Sequence, residues 1–79
     1  MLWRQVRQAY PDQWLIIEAS QAHTDRLTHE RILDWIDVIE TCLTGQAAIQ
    51  RYQELHQQYP YREFYFVHTR REKLEITEG

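Results

Sequence analysis

Four bulky apolar residues in a row, Trp14-Leu15-Ile16-Ile17, constrain this chain more than any other feature. Side chains along a strand point alternately to opposite faces, so Leu15, Ile17 and Ala19 line one face and Trp14 and Ile16 the other. The segment Phe64-Tyr65-Phe66-Val67 repeats the pattern, Phe64 and Phe66 alternating with Tyr65 and Val67. A sheet built from such strands is apolar on both sides and needs two covers. The 79 residues leave room for one domain, residues 1–79, and one small core.

The rest of the chain supplies the other elements. Leu2, Trp3, Val6 and Tyr10 fall at helical spacing, which predicts a short N-terminal helix packing through Trp3 and Val6. Tyr10-Pro11-Asp12-Gln13 reads as a type I turn leading into the Trp14–Ala19 strand. Residues 20 to 31 are polar and free of Gly and Pro, and read as strand ends around a long hairpin loop. Ile32 to Leu43 fits two templates: Ile32, Ile36, Ile39 and Leu43 suit a helix, yet five of its first ten residues are β-branched. Because β-branching costs side-chain freedom in a helix, a strand over residues 32–42 is expected.

Thr44 is a natural helix N-cap, and Ala47, Ala48, Tyr52, Leu55 and Tyr59 mark one face of the helix that Pro60 ends. Arg62 to Thr69 returns to a strand, Arg70-Arg71-Glu72-Lys73 forms a charged turn, and Leu74 and Ile76 alternate again before a tail expected to fray. Tyr-Pro precedes an apolar strand twice, at residues 10–11 and 59–60, which predicts a repeated helix-to-strand corner.

Strand, strand, helix, strand is satisfied by an α+β domain of ββαβ topology, in which a three-stranded antiparallel sheet of order 2-1-3 carries one main helix and the short N-terminal one. The main helix covers one face. The other, read as bearing Trp14, Ile16, Tyr65 and Val67, must be covered by the N-terminal helix, a second copy of the chain, or a partner protein.

Composition narrows the function. The net charge is −3, and residues 14 to 43 alone carry six acids against Arg26 and Arg31, so the global field does not invite nucleic acid. No apolar run is long enough to span a bilayer, and the N-terminal stretch does not resemble a signal peptide, so no membrane contact and a cytoplasmic location are expected. The single cysteine, Cys42, cannot close an intrachain disulfide and reads as a buried structural thiol. His23, His29, His56 and His68 form no zinc-ligand spacing. Ser20 lies in no nucleophile elbow, and with Gly45 and Gly79 the only glycines no phosphate-cradling loop can be built. The expectation is no catalytic residue, metal or cofactor.

The stretch with most chemistry is His68-Thr69-Arg70-Arg71-Glu72-Lys73, with Tyr61, Arg62 and Tyr65 nearby in sequence. Arginine forks and tyrosine rings serve as hot spots on protein partners, or stack on single-stranded RNA. The plainer reading is a solvated turn balanced by Glu63, Glu72 and Glu75. Trp14, Tyr61, Arg62, Tyr65, His68, Arg70 and Arg71 are therefore the candidate partner-binding residues.

Tyr10-Pro11-x-x-Trp14, Ala22-His23-Thr24, Tyr52-x-x-Leu55-His56, Tyr59-Pro60-x-Arg62-Glu63-Phe64-Tyr65 and His68-Thr69-x-Arg71-Glu72-x-Leu74 together resemble a group of small uncharacterised bacterial proteins over nearly the whole chain. The resemblance implies a sheet-plus-helix domain of unknown function, some relatives being encoded in toxin–antitoxin-like gene pairs or beside a small retroviral-type aspartic protease. No established site carries over. The leading expectation is a non-enzymatic protein-interaction or regulatory accessory module acting on a partner protein or as a homodimer. The alternatives are an RNA-binding or RNA-cleaving toxin-like domain using Tyr65, His68, Arg70 and Arg71, and an enzyme whose cleft the sequence hides.

Overall fold

In the computed structural model, which describes residues 1–77, the elements run α1 (Trp3–Ala9), β1 (Trp14–Thr24), β2 (Arg31–Cys42), α2 (Gly45–Gln58) and β3 (Phe64–His68). The sheet order is β2-β1-β3 with both pairings antiparallel, the expected 2-1-3 arrangement. Residues 32–42 are strand. Here β-branched preference prevails over the helical spacing of Ile32, Ile36 and Ile39.

Each helix covers one face of the sheet. Val6 of α1 is packed with Leu15, Ile17, Ile36 and Val67, flanked by Trp3, Tyr10, Tyr65 and Leu74. On the opposite face Ala48 and Leu55 of α2 are packed with Ile16 and Phe64, flanked by Trp14, Cys42 and Tyr52. The N-terminal helix is thus the second cover. The grouping of Trp14 and Ile16 with Tyr65 and Val67 is overturned, because the register pairs Ile16 with Phe66 and Ile17 with Tyr65. Cross-strand partners share a face, so Tyr65 and Val67 belong under α1 and Trp14 under α2.

The strand ends differ in detail from the sequence reading. β1 and β2 run to Thr24 and from Arg31, leaving a six-residue loop tied by Asp25, whose carboxylate accepts from the N–H groups of Leu27 (2.8 Å) and Thr28 (3.1 Å). These bonds hold its pKa below the ordinary carboxylate value. His29, at φ 59°, reverses the chain where no glycine is present. The Pro11 turn is not type I, since Asp12 adopts φ 54° where type I requires a negative angle. β3 covers only five of the eight residues expected. Leu74 packs beneath α1, the Arg31 N–H donates to the Ile76 carbonyl (2.8 Å), and Thr77 bridges to Glu30. The fraying expected beyond Ile76 otherwise falls on residues 78 and 79, outside the described residues.

Both helix-to-strand corners have one backbone shape. Tyr10 (φ −130°, ψ 68°) and Tyr59 (φ −130°, ψ 71°) each stand before a proline and donate their N–H to the carbonyl four residues back, Val6 and Leu55 respectively. A residue preceding proline is driven out of the helical region, which is why each helix stops there. At its other end α2 starts on Thr44, whose hydroxyl accepts from the Ala47 N–H at 3.1 Å.

Candidate functional site

The seven residues singled out in the sequence do not form one site. Trp14 and His68 are cross-strand partners on the α2 face, with ring centroids 5.0 Å apart in an edge-to-face contact. Tyr65 points to the opposite face and donates its hydroxyl to Glu63. Burial, and then that carboxylate, push the Tyr65 pKa well above its ordinary value, so the phenol stays protonated. Arg70 donates to Asp12 (2.8 Å), and Arg71 is an exposed residue whose carbonyl accepts from the Trp3 indole (3.0 Å).

Around His68 the structure builds more architecture than chemistry. Its Nδ1 accepts the Arg70 N–H (3.1 Å), and a cavity of about 500 Å³ opens between Asp12, Trp14, Cys42 and His68. Cys42 is partly buried, and desolvation followed by the Glu40 charge raises its pKa, which favours the unreactive thiol. Thr69, next to His68 in the chain, is 3% exposed and structural. Its hydroxyl accepts from the Gln13 N–H (2.9 Å) and its carbonyl from the Arg7 side chain (2.9 Å), which ties the end of β3 to both β1 and α1.

Tyr61 and Arg62 lie at the other end of β3, on the surface. Tyr61 is 100% exposed. The Arg62 guanidinium sits 5.0 Å from the Tyr59 ring centroid and 4.7 Å from that of Phe64, and grips Glu18 with two bonds of 2.8 and 2.7 Å. The arginine lowers the Glu18 pKa, mainly through its hydrogen bonds.

This corner continues into an aromatic band that the sequence reading did not identify. The Tyr52 and His56 rings stack (5.8 Å between centroids), and Tyr52 meets Phe66 edge-on (5.4 Å). Phe66 is 39% exposed and Ile49, one turn before Tyr52, 41%. A groove of about 340 Å³ is lined by Tyr52 and His56 of α2, by residues 60–64 and by Arg31 and Tyr65, so it lies at the start of β3. Positions 49, 52 and 56 are i, i+3, i+7 on α2, a second apolar stripe beside the core stripe. That spacing was the signal available in the sequence.

The other flank of α2 is charged. Arg51 binds Glu40 of β2 (3.2 Å) and Glu54 (3.1 Å), and both bonds raise its pKa. Among the described residues no three His, Cys, Asp or Glu side chains gather into a set that could hold a metal ion, and no helix is long and apolar enough to cross a membrane. No family model, curated protein or solved structure matches the chain.

Proposed function

We propose that this chain is a non-enzymatic protein-interaction or regulatory accessory module that meets its partner along the β3 side. The observation that carries the reading is the division of α2's flanks: the charges Arg51 and Glu54 stand over β2, while Ile49, Tyr52 and His56 stand beside the exposed Phe66. Tyrosine and arginine dominate binding energy at protein interfaces, and Tyr61 and Arg62 extend the band at its end. The rival RNA chemistry draws no support from the geometry, since Tyr65 and His68 point to opposite faces and Arg70 is paired with Asp12.

The test is co-purification of the tagged chain from its own host. A stoichiometric protein companion is expected, lost in an Ile49→Ser, Tyr61→Ser double variant that keeps its thermal unfolding profile, because both side chains are exposed. Co-purifying RNA lost in Arg70→Glu, Arg71→Glu instead would replace this reading with a nucleic-acid one.

A further inference from the structure

The two edges of the sheet are treated differently. The outer edge of β2 is closed near its start, where the Arg31 N–H donates to Ile76, and at Ile36, which exchanges bonds of 2.8 and 2.6 Å with Met1. Its register with β1 is also broken by irregularities, one of which leaves Ile39 without a partner. These are devices by which proteins blunt an edge strand. β3, though only five residues long, has among the described residues no chain segment paired along its outer edge and no register break against β1.

The register shows which groups β3 leaves open. Ala19 donates to the Glu63 carbonyl (2.9 Å) and Thr69 to the Gln13 carbonyl (3.0 Å), so the odd-numbered residues of this strand bond to β1. Antiparallel ladders alternate, which turns the N–H and C=O of Phe64 and Phe66 and the N–H of His68 outward. The His68 carbonyl already accepts from Arg71. Phe64 and Phe66 are apolar, and no Pro or Gly interrupts the strand.

We infer that the partner on this surface is a second copy of the chain, joined β3 to β3 about a two-fold axis at Phe66. The inference rests on the β3-side reading proposed above. The pattern is self-complementary: Phe66 faces Phe66 of the copy, Phe64 faces His68, and each outward N–H meets an outward carbonyl except where Arg71 holds that of His68. A two-fold axis through the pair runs perpendicular to the sheet, so both α2 helices lie on the same side. Their uncharged flanks, each with Ile49, Tyr52 and His56, then face one another over the paired Phe66 rings. Charge permits it, for Arg62 is neutralised by Glu18 and Arg70 by Asp12 at the two ends. The product is a six-stranded sheet.

Because residue 66 meets itself across the axis, a charge swap tests the register. Phe66→Lys and Phe66→Glu should each be folded and monomeric in sedimentation velocity, with a dissociation constant raised more than about a hundredfold. Mixed one to one, they should recover a dimer. In the native chain, concentration-dependent dimers are expected, with the Phe66 and His68 amides, whose acceptors on the copy are free, protected from hydrogen exchange at high concentration and open on dilution. Should either charged variant fail to fold, Phe66→Pro removes one outward N–H while sparing the bonds to β1, and should also be monomeric. A native chain that stays monomeric at every concentration, a dimer whose Phe66 and His68 amides exchange freely, or charged variants that never recombine would each overturn the inference. If such a chain still holds a different protein through Ile49 and Tyr61, the β3-side reading stands and only the second copy falls.

Discussion

Arg31 and Glu63, 32 positions apart, meet in a two-pronged ion pair of 2.9 and 2.8 Å that joins the start of β2 to the start of β3 across β1. The Arg31 bonds, reinforced by the Tyr65 hydroxyl, hold the Glu63 pKa below its ordinary 4.5. A lowered folded-state pKa adds stability that is present above 4.5 and is lost as the pH falls through the folded value. Glu63→Gln should therefore lower stability by about 1–3 kcal/mol at neutral pH and flatten the acid limb of a Tm-against-pH curve. An unchanged acid limb would show the pair to be idle.

Tyr65 gives the opposite limb. Its raised folded-state pKa adds stability that is whole below the ordinary value of 10.0 and declines as the pH rises beyond it. Tyr65→Phe should remove that alkaline decline while leaving the fold intact, read as Tm between pH 9 and 11 by differential scanning calorimetry.

Thr69→Val keeps the shape of a buried residue and removes the acceptor of the Gln13 N–H. An unsatisfied buried donor costs about 1–3 kcal/mol, which lowers the Tm of a domain this size by roughly 4–8 °C for each kcal/mol. Thr69→Ser, which retains the oxygen, should recover most of the loss in chemical denaturation.

Deleting residues 1–9 strips the cover from Leu15, Ile17, Ile36 and Val67, all buried. The truncated chain should bind a hydrophobic dye and aggregate, and the milder Val6→Ala should cost about 2 kcal/mol in urea unfolding. A truncated chain as stable and dispersed as the native one would mean that α1 is dispensable.

Gly45→Ala sets helix propensity against a clash. Alanine favours a helix by up to about 1 kcal/mol over glycine, but a Cβ at Gly45 would lie 2.9 Å from the Trp14 ring. Trp14 is wedged against His68, so the substitution should destabilise the domain and shift its tryptophan fluorescence.

Topology was legible in the sequence because local signals agreed with one another. Ile36, Val38 and Ile39 marked β2, while Thr44 and Pro60 bracketed α2. The phase of one strand against another was not. Alternation places Tyr65 and Phe66 on opposite faces without saying which joins Trp14, and only the pairing of Ile16 with Phe66 decides it. The burial of Thr69 was hidden for a related reason, since its partners Gln13 and Arg7 lie far away in sequence and a polar residue beside two arginines reads as surface. Tyr61 and Arg62 could be chosen by residue type, whereas Ile49 and His56 become part of a band only when Phe66 is brought beside α2.

β1 is hydrogen-bonded on both edges and buried on both faces, with Ile16 under one helix and Leu15 and Ile17 under the other. Neither helical layer can detach without baring this one strand, which couples the two small cores into a single cooperative unit. The amides of Leu15 to Ile17 should then exchange only when the entire molecule opens, and the free energy measured at any of them should equal that of global unfolding.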